Sequence, residues 1–310
     1  MCSVRPYTAA DVHAWDALVG RSRNGNLLHR RGYMDYHADR FVDQSLLVER
    51  HGEVVAVFPA SGQGSVVTSH AGLTYAGLVT TQGLRAESTL GVFGQIARHY
   101  RALGVERVIY KAVPHIFHAY PAEEDLYALH RLGARLARRD LSSAIPLRET
   151  FHFSQGRQRA VNKARKAGIE LQPAADPAEF HALLSEVLRK HDTQPTHSLA
   201  ELRLLLGRFP QQLVLHEARR EGELLAGVLV YDLGKVAHTQ YMAVSEQGRS
   251  AGALSYLLAE LIGGVYADRA YFSFGISTEQ EGRVLNGGLV TQKEYFGARA
   301  VVHDFYEWPL

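Results

Sequence analysis

The chain has 310 residues, 46% of them hydrophobic, and carries 34 basic against 32 acidic side chains. That length suits one large or two ordinary domains with a sizeable core, and the near balance of charge leaves no overall field to draw nucleic acid or an anionic membrane. The single cysteine, Cys2, excludes an intrachain disulfide and a multi-cysteine metal site. Arg5 and Asp11 interrupt the N-terminus before any signal-like apolar run forms. The longest apolar helical pattern, around 253–265, contains Glu260 and is too short to span a bilayer. A cytoplasmic enzyme or binding protein is the expectation.

In chain order, the first half opens with a strand in "SVRPY", a helix over Ala9–Val19 capped by Thr8, and a short helix over roughly Arg31–Asp39. "SLLVER", "GEVVAVFPAS" and "GSVVTSH" follow as strands with turns at Gly52 and Gly62–Gly64. Then come a helix at about 87–104, the strand "ERVIYKAV", a proline-punctuated stretch, and a short helix over 122–132. The second half begins with a basic helix, "SQGRQRAVNKARKAG", and the strand "IELQPA", with helices at about 177–190 and 198–207. "QLVLHEARR", "ELLAGVLVYD" and "KVAHTQYMAV" are three strands joined by tight turns. After the loop "SEQGRSAG", a helix capped by Ser250 places Leu254, Leu257, Leu258, Leu261, Ile262 and Val265 on one face. A strand beginning at Tyr271 breaks at Gly275, a helix lies near 281–293, and a last strand covers about 300–307. The two halves share this order of elements without a sequence repeat, and the joint falls near 148–153. The expected fold is α/β, with domains at 1–150 and 151–310.

The second half resembles the GNAT acyltransferase core, and the whole chain is similar to FemAB-like, double-GNAT proteins, including the branch associated with polysaccharide and nucleotide-sugar genes. The resemblance rests on "RQRAVNKARKAGIEL", "QYMAVSEQGRSAGALSYLLAELI" and "FSFGISTEQEGRVLNGGLVTQKEYFGAR", with "YMDYHADRF" and "YKAVPHIFHAYPAEEDLYAL" in the first half. It implies two tandem GNAT-like domains, each a mixed, mostly antiparallel sheet flanked by helices. The first would hold a degenerate acceptor groove and the second the acyl-donor site. In that fold two neighbouring parallel strands splay apart and the donor lies in the gap. "KVAHTQYMAV" and "AYFSFGI" would be those strands, with Ser277, Thr278 and Glu279 at the mouth of the splay. The usual coenzyme A loop is matched only partly by Gln247, Gly248, Arg249, Ser250, Gly252 and Ala253, although a helix start, an arginine and close-approach glycines suit an anion.

Among candidate site residues, His238 and Glu279 are the two choices for the base that takes the acceptor's proton, an imidazole near its ordinary pKa being suited to the task. A half-buried sheet histidine and a solvated loop carboxylate would have the same sequence appearance. Tyr241 is the candidate donor of a proton to the leaving group. Alternation puts His238, Gln240 and Met242 on one strand face. Gln240, Ser277, Asn286 and Lys293 are candidates for acceptor binding, as are Tyr36, Asp39, Arg40, Tyr75, Lys111 and His115 in the first half. A core tyrosine is the ordinary explanation for either Tyr36 or Tyr75 alone. Arg157, Arg159, Lys163, Arg165 and Lys166 form a basic helix with no acid, which fits a small phosphate-bearing ligand or a structural pairing with acids elsewhere. Sixteen histidines make the pair His115 and His118 poor grounds for a metal, and none is assigned.

The function so read is N-acyl transfer from acyl-coenzyme A to an amino group, on a nucleotide-linked amino sugar. Its rivals are aminoacyl transfer from tRNA to a peptidoglycan precursor and a non-catalytic module that binds a sugar nucleotide. DNA is not an expected partner, and the sequence leaves the oligomeric state open.

Overall fold

The computed structural model describes residues 2–190 and 192–310. Contacts divide the chain into two compact units: Met1–Leu141 with Thr278–Val284 and Val302–Leu310, and Ser142–Ser277 with Leu285–Val301. The division therefore comes ahead of the expected joint, inside the strand Arg135–Pro146, and the C-terminal residues return to the first unit.

The first unit has an antiparallel sheet of Cys2–Pro6, Leu46–Arg50, Glu53–Phe58 and Val79–Thr80. Helices Val12–Arg21 and Ala86–Ala102 bury Trp15, Leu18, Phe93 and Tyr100 completely. A second run of strands pairs the end of Arg299–Pro309 with Arg107–Lys111, which lies parallel to Val66–Thr68. The helix expected over Arg31–Asp39 is α-helical only over Arg31–Met34, because His37 leaves helical geometry at φ −126° and ψ 30°.

In the second unit, α1 (Gln155–Lys166) is capped by Ser154, whose Oγ accepts from Arg157 N. Then follow β1 (Glu170–Pro173), α2 (Ala178–Arg189) and α3 (Leu199–Arg208), the last opened by a reciprocal capping box between Ser198 and Glu201. Strands β2 (Leu213–Arg220), β3 (Glu223–Asp232) and β4 (Val236–Val244) form an antiparallel meander extending from β1. The turn between β2 and β3 uses positive φ at both Glu221 and Gly222, the pairing that a tight hairpin requires. Next come α4 (Glu246–Ala251), α5 (Ala253–Glu260), β5 (Tyr271–Ile276) and α6 (Gly287–Glu294).

The long helix of the sequence reading is thus broken twice. Gly252 stops α4 in the left-handed region, at φ 80°, and α5 widens into a π turn over Leu261–Val265. Leu257, Leu258, Leu261 and Ile262 enter the core as expected, but the wider turn carries Val265 out to 57% exposure. Asn286 caps α6, with Oδ1 accepting from Leu289 N, so that helix begins later than expected. Among the described residues no helix is long and apolar enough to cross a membrane.

Candidate active site

Strand β4 lies parallel to β5 for three residues only: Val236 opposite Tyr271, Ala237 opposite Phe272, and His238 opposite Ser273. Beyond His238, β4 runs on to Val244 with β3 alone as its recorded strand neighbour. The two strands part at His238, whose Nδ1 lies 3.1 Å from Ser273 Oγ.

Gln240 controls what the fork presents. Leu229 pairs with Tyr241 and Val230 with Thr239, so Gln240 is an extra residue on β4, a bulge. A one-residue slip reverses the faces of every side chain beyond it. Ala237 accordingly packs into the cluster around α5, and so do Met242 and Val244. The expected face of His238, Gln240 and Met242 does not form, and His238 shares its side with Tyr241 instead. Tyr241 Oη lies 2.7 Å from His197 Nδ1 and accepts from His197 N at 3.3 Å. Which of the two donates depends on the imidazole tautomer, and burial raises the phenol's pKa, which keeps its hydrogen on. His197 was not singled out from sequence, since nothing distinguishes a histidine just before a helix cap.

Gly275 does not end β5. The pairing with Ser142–Pro146 slips between Ser273 and Ile276, and the strand resumes at Ile276 after Gly275 adopts φ 72°. A Cβ there would meet His238 Cε1 at 3.5 Å, ordinary contact, so backbone conformation rather than space calls for glycine. Lys293, 2% exposed, reaches back from α6 to this kink. Its Nζ donates to Gly275 O (2.9 Å), Ile276 O (2.7 Å) and Ser277 Oγ (2.8 Å). Burial lowers its pKa to about 8, which still leaves the ammonium as the main form at pH 7. Lys293 and Ser277 are thus interior partners of each other rather than solvent-facing groups, and Asn286 serves as the cap of α6. Glu279 is exposed and belongs to the first unit, in a hairpin turning through positive φ at Gln280 and Glu281.

The loop expected to grip an anion is helical. Ser245, not Ser250, is the cap: its Oγ accepts from Gly248 N, while Ser250 lies within α4. Gly248 and Gly252 serve packing, because a Cβ would fall 2.1 Å from Leu225 O and 2.6 Å from Ala160 O respectively. With its amide suitably oriented, Gln247 bridges the Glu223 carboxylate and Arg220. Arg249 and Ser250 are exposed, and Ala253 is buried at the start of α5. The basic helix α1 has found its counterparts. Arg157 stacks on Phe296 and bonds Ser255, Lys163 donates to Ser250 O, and Arg165 pairs with Glu260 at 2.9 Å.

In the first unit, Tyr75 is an interior tyrosine, its Oη accepting from Asn26 and its ring on Phe117. Lys111 is also interior, surrounded by the carbonyls of His70, Ala71 and Leu73, and burial lowers its pKa to about 7. Neither is placed as a groove contact, since the fold itself satisfies their polar atoms. Tyr36 stacks on His37, whereas Asp39, Arg40 and His115 are exposed. Among the described residues no group of His, Cys, Asp or Glu side chains could hold a metal ion.

A parallel strand pair that opens at a bulge, flanked by an antiparallel meander, is the geometry of a GNAT acyl-transfer domain. Residues 153–282 match the profile of the "Acetyltransferase (GNAT) domain". By overall fold the chain is similar to FemX (13% identity, 99% of this chain and 97% of that one, TM-score 0.72). It is also similar to the C-terminal domain of a putative lysylphosphatidylglycerol synthetase from Agrobacterium fabrum (14%, 97% and 92%, 0.64). A tandem GNAT protein from the clavulanic acid biosynthesis pathway aligns as well (12%, 100% and 98%, 0.54). No curated protein matches the sequence. Residues 153–282 thus carry the match to a GNAT acetyltransferase domain, and the chain as a whole shares its fold with FemX and with the tandem GNAT protein.

Proposed function

We propose that the second unit transfers an acyl group from coenzyme A to an amino group, and that the acceptor is a nucleotide-linked amino sugar. The observation that supports this site for the chemistry is the parting of β4 and β5 at His238. An acyl thioester lying in the fork would meet the β4 edge, whose backbone N–H groups can hydrogen-bond the carbonyl oxygen as negative charge develops on it. The neutral amine attacks the acyl carbon, His238 takes its proton, the C–S bond breaks, and coenzyme A leaves as its thiolate, which takes a proton from the imidazolium or from water. Tyr241, whose hydroxyl is already engaged with His197, is a secondary candidate for supplying the leaving group's proton. A coenzyme A donor suits what the loop offers: exposed Arg249 is a charge for its anionic end, and Ser245 orders the first turn of α4. Coenzyme A is favoured over tRNA because three basic side chains of α1 already have partners within the unit. The amino-sugar acceptor rests on the resemblance of the quoted motifs to the nucleotide-sugar branch, and exposed Arg159 and Lys166 are compatible with a small phosphate ligand.

Incubating the protein with a panel of acyl-coenzyme A donors and amino-sugar nucleotides, followed by mass spectrometry, tests the reading. One acceptor should gain an acyl mass in a protein-dependent way. Transfer from aminoacyl-tRNA with no thioester turnover would replace it. In the same assay Arg249→Ala should weaken donor binding about tenfold, the order lost with one charge-assisted contact, and leave acceptor binding nearly unchanged. Superimposable donor titrations would remove Arg249 from the donor site.

A further inference from the structure

The second unit contains a cavity of about 650 Å³ whose lining includes none of the residues at the fork, a volume in the ~300–1,000 Å³ range of small-molecule sites. It lies beside the C-terminal end of α5, away from Gly252. Its apolar walls are Leu171, Pro173, Val214, Leu257, Leu261 and Val265. The gap has a cause in the sequence. Helix α5 widens into the π turn where Gly263 and Gly264 bring no side chains, and an added Cβ on either would meet nothing within 4 Å. The edge strand β1, only four residues long, ends at Pro173.

Two of the polar groups lining this cavity, which also include Gln172 and Gln211, lie side by side. His216 Nε2 lies 2.9 Å from Tyr266 Oη, and burial lowers the imidazole pKa to about 4 and raises that of the phenol. At neutral pH both are therefore uncharged and share one hydrogen bond. If Tyr266 donates to Nε2, the imidazole hydrogen is on Nδ1. If Nε2–H donates to Tyr266, the phenol hydrogen is left over. Either tautomer leaves the pair one hydrogen to donate. The charges at the cavity are already balanced: Arg269 binds Asp232 through two contacts, at 3.0 and 2.6 Å, and Glu260 binds Arg165 at 2.9 Å. An ion entering here would leave water without a new counter-charge, whereas an uncharged apolar body would lose nothing of that kind.

We propose that this cavity is a binding site for an uncharged, mainly apolar small molecule that presents one hydrogen-bond acceptor, such as a carbonyl oxygen, to the His216–Tyr266 pair. Benzophenone is a suitable probe, being neutral, apolar and a ketone, and it crosslinks to nearby C–H bonds on irradiation. Titrated against the full chain, it should label saturably, with crosslinks mapping by mass spectrometry to 171–173 and 257–269. Gly264→Trp, placed where open space surrounds the Cβ, should fill the cavity and abolish labelling. The double variant His216→Phe/Tyr266→Phe should weaken benzophenone about three- to tenfold, the span of one neutral hydrogen bond. It should leave unchanged the competition by diphenylmethane, which has the same shape and no carbonyl. Near-ultraviolet circular dichroism identifies a variant that has not folded, and the other variant then decides. Labelling that never saturates, maps elsewhere or survives Gly264→Trp overturns the site. Equal weakening of both compounds overturns the role of the polar pair.

Discussion

His238→Asn should lower turnover by a factor of about 10² to 10⁴, the usual contribution of a positioned general base, with acceptor affinity little changed. The substitution keeps a polar side chain of similar reach and removes the group that can titrate near neutrality. His238 occupies the last paired position before β4 and β5 diverge, its ring against Gly275 and its Nδ1 beside Ser273 Oγ. A base at that point has Nδ1 beside the sheet hydroxyl of Ser273 and stands where the two strands part. The wild-type pH–rate profile should fall on the acidic side, where the imidazole is protonated and cannot accept, and the variant should lose that limb. Ser273→Ala should have a smaller effect, because it removes an orienting contact and not the base. Should His238→Asn retain the wild-type rate and pH limb while Glu279→Gln loses both, the base is Glu279. If neither variant slows the reaction, the acceptor's proton goes to water.

The order of elements was legible because it depends on local signals: apolar periodicity in the helices, alternation in β2 and β3, and glycines where the chain reverses. The candidate site was less so, and Gln240 shows why. A bulge is invisible to a rule that counts by twos, yet it decides whether His238 faces the same way as Tyr241 or as Met242. Gly248 and Gly252 illustrate a different loss. Glycines in a loop between strand and helix suggest a phosphate cradle, but here Leu225 and Ala160 stand where their Cβ atoms would go. Such a constraint comes from residues far away in sequence. Ser245 and Ser250 are equally plausible caps by residue type, and only the path of the chain selects the first. The basic helix, read as a run of uncompensated charge, meets Glu260 and a carbonyl of α4 that no window along α1 contains. His197 carries no local signal, since its importance comes wholly from its distance to Tyr241.

Lys293→Met should destabilise the protein by about 2–4 kcal/mol, since it removes three hydrogen bonds from a buried ammonium, one to a buried and two to part-buried acceptors. For a unit of this size that is a fall of roughly 5–15 °C in melting temperature. Methionine keeps the length and apolar stem of lysine, so packing is disturbed little and the loss reports the ammonium's hydrogen bonds. Those bonds hold the kink together: Nζ binds Gly275 O and Ile276 O at the point where the pairing of β5 slips, and Ser277 follows at 1% exposure. Part of the loss is offset because the variant no longer buries a charge, which is why the expected cost is below the sum of three separate bonds. Turnover should fall together with stability, as Gly275 packs beside His238 and an unlatched kink lets the fork widen. Urea unfolding and steady-state rates on the same preparation separate the two possible roles. A normal unfolding midpoint with a collapsed rate would mean that Lys293 meets a substrate directly. A lowered midpoint whose rate recovers at low temperature, where the unit is fully folded, would place its action in the latch on Gly275 and Ile276.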